Sequence, residues 1–403
     1  MSEEEFLAIA RKRYEEVNAL NDGMSFYDFE KRLSEIMDAM TRDLLETKIG
    51  KVPADRRKKK TLCKSGVIEI AKSHPYSQGA KGFQISPLMQ EKMVFAGQYD
   101  NYGSCNKLIE VFLNRQVSTS QVLRVTNAYG AEFGLEDQSK RTLGPPVKQE
   151  GVYAMVDGSM ILTRGGWKET KLGRVFKSGD CIKDGSDKGS ILQSQYIAHL
   201  GGNKPFCRAM SELLDAYGGN SLGEHLVLIN DGATWIHQWC KDIYPKAVHV
   251  LDYYHAVEHL YGFITLAFKD IETGRTWGKS IEKLLMESKV EQVIQEIQNH
   301  GTENKKAQEA KEGLINYYEQ NKERMDYARY AKIGSGIIGS GAIESAHRTV
   351  IQKRLKQSGQ RWGIKGAQNV LNLRVVYMSN QWNKVIDLIK TEQAKAAFNN
   401  IAA

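Results

Sequence analysis

Apolar positions along the first 50 residues recur at helical spacing. Phe6, Ile9 and Ala10 fall on one face, as do Leu33, Ile36, Met37 and Met40, with a break near Asn21-Asp22-Gly23. The pattern then changes to a strand-like Gly66-Val-Ile-Glu-Ile70. Ser86-Pro87 reads as a helix cap with proline in the first turn, and short helices are predicted from there to about Gly134. Ser118-Thr-Ser-Gln-Val-Leu-Arg-Val could be the second helix of a helix-turn-helix. Residues 139–150, with Gly144-Pro145-Pro146, form the clearest linker.

Beyond the linker the periodicity becomes that of strands. Tyr153-Ala-Met-Val-Asp157-Gly158 is a short apolar run ending in an acid, and Trp167 to Phe176 alternates. Gln193–His199 is a weaker strand candidate, and Pro205–Tyr217 carries Met210, Leu213 and Leu214 at helical spacing. His225-Leu-Val-Leu-Ile-Asn-Asp231-Gly232 is a buried-type strand ending in an acid. Ala233–Ile243 is a short helix, and Ala247-Val-His-Val-Leu-Asp252 is a further strand ending in an acid. Three strands followed by helix, strand, helix and strand is the element order of a ribonuclease H-like α/β core. After Pro245 there is no proline, so the remainder is free to be helical. Residues 256–333 read as a helical insertion ahead of the Gly334 turn. The expected division is 1–50 N-terminal helices, 51–138 a helical DNA-binding or assembly region, the 139–150 linker, 151–255 the first part of the core, 256–333 the insertion, and 334–403 the rest of the core with the tail.

Charge sharpens this picture. Lys plus Arg number 56 against 48 Asp plus Glu, a formal charge of +8 over 403 residues. The excess is concentrated at Arg56, Arg57, Lys58, Lys59 and Lys60, and again after Glu344, where Arg348, Lys353, Arg354, Lys356 and Arg361 follow with no further acid before Trp362. Such clustering is an electrostatic footprint for nucleic acid, and a solvated basic surface is its bland counterpart. Five cysteines without C-x-x-C spacing argue against a zinc ribbon or a disulfide framework. The acidic opening lacks a signal-peptide pattern and no apolar run approaches the ~20 residues of a membrane span. A soluble, cytoplasmic protein is expected.

Metal-dependent phosphodiester chemistry needs two or three carboxylates converging from separate elements, because Mg²⁺ and Mn²⁺ prefer hard oxygen ligands. Asp157 and Asp231 are predicted at strand ends, each followed by glycine, and Glu344 would come from the C-terminal helix. Singly, each Asp-Gly is an ordinary turn signal; their order and context favour a site. Two other motifs compete. His255-Ala-Val-Glu258-His259 matches the H-x-x-E-H of inverted zinc peptidases. Gly334-Ser-Gly336-Ile-Ile-Gly339 matches G-x-G-x-x-G, but Tyr-Ala-Arg-Tyr-Ala-Lys precedes it instead of a hydrophobic strand.

Taken in order, Met155-Val-Asp157-Gly-Ser-Met160, Trp167-Lys-Glu, Gly173-Arg-Val-Phe176, Asn230-Asp231-Gly-Ala-Thr-Trp235, Val250-Leu-Asp252-Tyr-Tyr-His255-Ala-Val-Glu-His259, Ile338-Gly-Ser-Gly-Ala-Ile-Glu344-Ser and Arg354-Leu-Lys-Gln-Ser-Gly-Gln-Arg-Trp362 are similar to motifs of DDE-type transposases of bacterial insertion sequences, closest to the ISKra-like group and its Mutator-like relatives. The resemblance spans roughly residues 80–385. It implies that Asp157, Asp231 and Glu344 ligate two Mg²⁺ (or Mn²⁺) ions and that Asp252 and His255 form an accessory D-x-x-H motif. It also implies double-stranded DNA (terminal inverted repeats and target) as partner, a homodimer or higher oligomer on DNA, and strand cleavage followed by strand transfer. The basic residues above, with Trp362, would contact DNA. Where relatives carry paired cysteines near the N-terminus, this chain has only Cys63. A zinc metallopeptidase built on His255–His259 and a non-catalytic DNA-binding protein of the same fold are the alternatives.

Overall fold

The computed structural model describes residues 1–402 apart from 22, 53, 54 and 184–188, with 183 and 399–402 described by backbone only. Contacts divide the chain into two compact units, residues 1–132 with 381–403, and residues 133–380. The tail from 381 therefore counts with the first unit, whereas the sequence division runs 334–403 together.

In the first unit the helices Glu3–Asn18 and Phe26–Ile49 flank the break expected near Asn21-Asp22-Gly23, of which residue 22 lies outside the described residues. Arg13 bridges Glu16 of its own helix and Asp43 of the next. Strands β1 (Lys58–Cys63) and β2 (Gly66–Ala71) form an antiparallel hairpin whose Cys63, Ile68 and Ile70 pack under Leu45 and Ile49. The basic run thus opens a strand. Arg57 is held by Asp55 at 2.9 Å and Lys58 faces Glu69 at 3.4 Å, so part of its charge is met inside the unit. Ser86 caps the helix Pro87–Tyr99 through the Met89 amide, and Thr119–Gly130 begins in a capping box of Ser118 and Gln121.

The second unit is built on a five-stranded mixed sheet. Its strands are β3 (Val152–Thr163), β4 (Gly166–Lys177), β7 (Gln195–Leu200), β8 (Leu226–Asn230) and β9 (Val248–Leu251), with a small hairpin of β5 (Cys181–Lys183) and β6 (Gly189–Ile191) beside it. The order is β7-β4-β3-β8-β9, antiparallel among the first three and parallel from β3 to β8 to β9. Parallel neighbours need crossovers, and the helices Asn203–Ala216 and Thr234–Ile243 supply them. Strand alternation puts Val152, Ala154 and Val156 of β3 in one core with Leu226, Leu228, Phe206, Met210, Leu213 and Trp239. Asp157 shares the opposite face with Tyr153 and Met155. Residues 139–150 form neither helix nor strand, yet Gln195 of β7 ties this stretch down through Lys140 O and Thr142 N, and the division between units falls earlier, after residue 132.

The stretch expected as a helical insertion is helical, with Tyr253–Ala267, Ile271–Met286, Val290–Asn299, Lys305–Asn321 and Tyr327–Tyr330. The chain returns to the sheet through Gly334, which adopts φ +55, and a Cβ at this position would stand only 2.8 Å from the Tyr153 hydroxyl. That hydroxyl donates to Ile333 O (2.7 Å) and accepts from Ser335 N (3.0 Å). Gly334→Ala combines left-handed strain with a clash against a buried tyrosine and should destabilise the protein by about 1–3 kcal/mol. Urea unfolding followed by circular dichroism measures this; a stability equal to wild type would mean that the turn is not held by Tyr153.

Candidate functional site

The site is set by register. Met155 pairs with Ile229 across β3 and β8, so Asp157 and Asp231, each two residues further on, stand level where the parallel pairing runs out. Asn230 pairs with Leu251 across β8 and β9, so Asp252 stands level with Asp231 one residue further on. Three acids therefore occupy one edge of the sheet on adjacent strands, which lie ~4.8 Å apart. Asp252 follows its strand directly and is 2% exposed. It caps the helix Tyr253–Ala267 by accepting from Tyr254 N at 2.9 Å.

One expectation needs correction. Asp157 does not end its strand, because β3 continues to Thr163 in its hairpin with β4. Gly158 makes no turn; a Cβ there would lie 2.2 Å from Glu169 Oε1 of the facing strand, so the glycine makes room for that side chain. Gly232 does turn the chain, at φ +97, immediately after Asp231. The Asp231 carboxylate accepts from Ala233 N at 3.0 Å, and Asp157 accepts from Gly158 N at 2.6 Å.

Glu344 lies in the helical turns Gly341–Ala346, which continue as a π-helical segment His347–Gln352 and a last turn Lys353–Leu355. Three contacts hold this element against the sheet. Arg174 of β4 donates to Ala342 O at 2.6 Å, and Tyr253 N donates to Ile338 O at 3.1 Å. The Ser340 hydroxyl lies between two acids, hydrogen-bonded to Asp252 Oδ2 and 3.2 Å from Glu344 Oε1. One turn after Glu344, His347 Nε2 is 3.1 Å from Asp157 Oδ2. The π segment is itself supported by buried Arg374, which donates to Thr349 O and Val350 O. π-Bulges gather at functional positions because they rotate the following side chains off the regular helical face.

Sequence reasoning missed His347, Ser340, Arg324 and Tyr317. The first two were within reach of a local signal: both lie within one helical turn of Glu344. Tyr317, which donates to Asp231 O at 3.2 Å, and Arg324, which donates to Asn230 Oδ1 at 2.9 Å, come from the insertion and carry no such signal.

His255 makes its contacts with its own helix and with Tyr317. Its Nδ1 is 3.4 Å from Glu258, and its ring meets His259 edge-on at 4.8 Å. His259 in turn stacks on Tyr317 at 4.2 Å, and the three line a groove of about 700 Å³ with Phe263 and Leu314. Among the described residues no three His, Cys, Asp or Glu side chains converge tightly enough to hold a metal ion, at this groove or at the sheet edge.

The basic residues divide by exposure. Arg348, Lys353, Lys356 and Arg361 are exposed, as are Arg56, Arg57, Lys58 and Lys60, while Lys59 is half-buried. Arg354, by contrast, is 1% exposed under the Trp362 ring (4.9 Å), and Trp362 is buried with its indole N–H on Leu355 O at 3.0 Å. These two brace the end of the helix and do not present themselves to a polyanion, a correction to the expectation that both face DNA. Lys356 is held below its usual value by burial and pulled back up by Asp157, which puts it in electrostatic reach of that acid.

Burial also holds the imidazoles of His199, His237, His249 and His259 below their ordinary value of 6.5. The folded chain then binds fewer protons than the unfolded chain between the lowered values and 6.5, so stability rises with pH in that window. Stability should be flat between pH 7 and 8 and fall progressively below about 6.5. Urea midpoints across pH 5–8 test this, and His249→Gln should reduce the slope.

The chain belongs to the uncharacterised protein family UPF0236, whose model matches residues 80–391. The match includes every acid of the sheet edge and the whole 341–355 element. No curated protein matches the chain. Among the described residues, no helix is long and apolar enough to cross a membrane.

Proposed function

We propose that this protein is a DDE-type transposase, a metal-dependent enzyme that cuts DNA at the ends of a mobile element and joins them to target DNA. The observation that carries the reading is the register of Asp157 and Asp231 on neighbouring parallel strands, with Asp252 level beside them and Glu344 linked to Asp252 through Ser340. The strand order, three antiparallel strands followed by two parallel ones, supports reading the second unit as a ribonuclease H-like core interrupted by a helical insertion.

In donor chemistry the residues suit a divalent cation, and binding one would require them to draw closer together than they stand in the structure. All four acids offer hard oxygen donors, and the Ser340 hydroxyl has one proton to share between the Asp252 and Glu344 carboxylates. Asp157, Asp231 and Glu344 would hold Mg²⁺ or Mn²⁺, two ions in the full mechanism, with Asp252 adjoining. When bound, the ions would supply water activation and stabilisation of charge on the scissile phosphate.

The chain's own part is to bind and orient. Arg348, Lys353, Lys356 and Arg361 line the element that carries Glu344 and would neutralise DNA phosphates on either side of the scissile one. Water attack at phosphorus breaks the P–O3′ bond and frees a 3′-hydroxyl. That hydroxyl then attacks a target phosphodiester, whose own O3′ leaves, so the number of phosphodiester bonds is conserved in the joining step.

Strand cleavage of a terminal-repeat duplex by the full chain in Mg²⁺ or Mn²⁺ tests the reading; a protein that binds this DNA equally with and without the ion and never cuts it would overturn it. The electrostatic part has its own signature. Arg348→Ala and Arg361→Ala should each weaken DNA binding at all sequences and reduce the slope of log affinity against log salt by about one. Fluorescence anisotropy between 50 and 200 mM salt gives that slope. Arg354→Lys should leave it unchanged.

A further inference from the structure

The β3–β4 hairpin runs past the sheet edge that carries the acids. β8 stops at Asn230, level with Val156, whereas β3 continues to Thr163 and β4 begins at Gly166. Trp167 lies opposite Leu162, five residues beyond Asp157 on β3, which is about 17 Å at ~3.3 Å per residue. The consecutive tip residues Arg164-Gly-Gly-Trp167-Lys168 are all exposed. Trp167 is 62% exposed, and Met160 on the same face is 45% exposed. An indole left in water on a regular strand is uncommon, and an exposed apolar surface of this kind marks a contact site.

Hydrogen bonds hold this tip. Thr163 Oγ1 donates to Gly166 O at 2.6 Å and accepts from Gly165 N at 3.3 Å. Trp362 N donates to Leu162 O at 3.1 Å and Arg164 N donates to Trp362 O at 2.8 Å, so the end of the Glu344 element clamps the ribbon. Its two faces differ. Alternation puts Asp157, Ile161 and Thr163 on one face, where the last two are buried, and Met160, Leu162 and Trp167 on the other. The surroundings of Trp167 are basic. Arg164 and Lys168 flank it, Arg361 adjoins the clamp, and the one acid between Gly158 and Lys171, Glu169, is met by Lys171 at 2.7 Å. Positive charge around an exposed flat ring suits a polyanion that carries flat bases.

We propose that this ribbon is a strand-separating wedge. With one strand of the element end seated at Asp157, Trp167 stacks on a base of the complementary strand, and Arg164 and Lys168 hold the phosphates beside that base. The proposal rests on the DNA-cutting reading above and names a contact within it. The scissile strand meets the face that carries Asp157, so a ring on the opposite face meets the other strand. The length of the ribbon sets the position: at ~3.4 Å per nucleotide, its ~17 Å reach is about five nucleotides from the scissile phosphate. Stacking of this kind tolerates any base, because each offers a flat face, and a tip already held in place loses little freedom on binding.

The test uses the full chain and a duplex whose end is the cleaved element terminus, with iododeoxyuridine placed singly along either strand. Irradiation joins iodouracil to an aromatic side chain stacked on it, and mass spectrometry of the digest locates the residue. The expected result is joining to Trp167 from the complementary strand, strongest about four to six nucleotides from the terminus. Trp167→Ala should abolish it and bind this DNA about tenfold more weakly, with the slope of log affinity against log salt unchanged. Trp167→Phe should regain most of that loss, whereas Arg164→Ala and Lys168→Ala should each lower the slope by about one. Wild-type affinity in Trp167→Ala with no joining at Trp167 would overturn the inference and leave the DNA-cutting reading standing. Joining from the cleaved strand alone would overturn the wedge. So would a dimer, seen by sedimentation, that Trp167→Ala splits without change in DNA affinity, because the face would then be a contact between copies. A wild-type chain that binds no DNA would overturn this inference together with the reading on which it rests.

Discussion

Asp157→Asn, Asp231→Asn and Glu344→Gln should each reduce metal-dependent strand cleavage by on the order of 10³-fold, with the fold intact. Stabilisation of phosphate charge by a correctly held divalent ion is worth several kcal/mol, and each 1.4 kcal/mol is a factor of ten in rate. None of the three side chains is fully buried, and isosteric amides keep the acceptor for Ala233 N at position 231 and for Gly158 N at position 157. The same substitutions carry a second signature that loss of structure would not produce. In chelator, three level carboxylates repel one another, so removing one charge should stabilise the metal-free protein by about 1 kcal/mol, or ~2–4 °C in melting temperature. Added Mn²⁺ should raise the melting temperature of wild type and barely move that of the variants. Asp252→Ala behaves differently, because this side chain caps the helix Tyr253–Ala267 and also anchors Ser340. It should lose about 0.5–2 kcal/mol of stability as well as activity. Wild-type cleavage by Asp157→Asn or Asp231→Asn would remove the active-site assignment altogether.

Much of this arrangement was legible because it is local. The strands around Asp157, Asp231 and Asp252 announce themselves by apolar runs, and the crossover helices by spacing, so the element order is readable before any pairing is known. Two features were not. Whether β3 stops at Asp157 depends on its antiparallel partner β4, which carries the strand to Thr163; a Gly after an Asp looks like a turn unless the Glu169 side chain across the hairpin is known. The fate of the basic helix was equally hidden. Charge counts cannot tell Arg348, which is exposed, from Arg354, which is covered by Trp362, because the difference arises from the π segment and from a return of the chain to Thr163. Asp252 shows the reverse case. The resemblance gives it an accessory role, whereas register brings it level with Asp231 and as close to the Glu344 element as any of the acids.

Arg324 is where the insertion acts on the site, and its replacement separates two effects usually confounded. It closes the turn Lys322–Arg324 within the insertion and is 3% exposed, bonded to Asn230 Oδ1 and to Asn321 Oδ1, with burial holding its guanidinium below the usual value. Asn230 Oδ1 also accepts from Gly232 N at 3.1 Å, and Asn230 O accepts from Asp252 N at 2.9 Å. One arginine therefore orients the amide that shapes the turn after Asp231 and fixes the step to Asp252. Arg324→Ala should cost about 2–5 kcal/mol, from a cavity and from two amides stripped of a buried donor. Arg324→Met fills the volume and removes a desolvated charge, so its stability should stay within about 1–2 kcal/mol of wild type. Its cleavage rate should nonetheless fall 10–100-fold, the usual effect of losing a group that orients a ligand. Urea unfolding and single-turnover cleavage on the same two variants make the comparison. If Arg324→Met cleaves at the wild-type rate, the turn after Asp231 holds itself, and the insertion's tie to β8 serves stability alone.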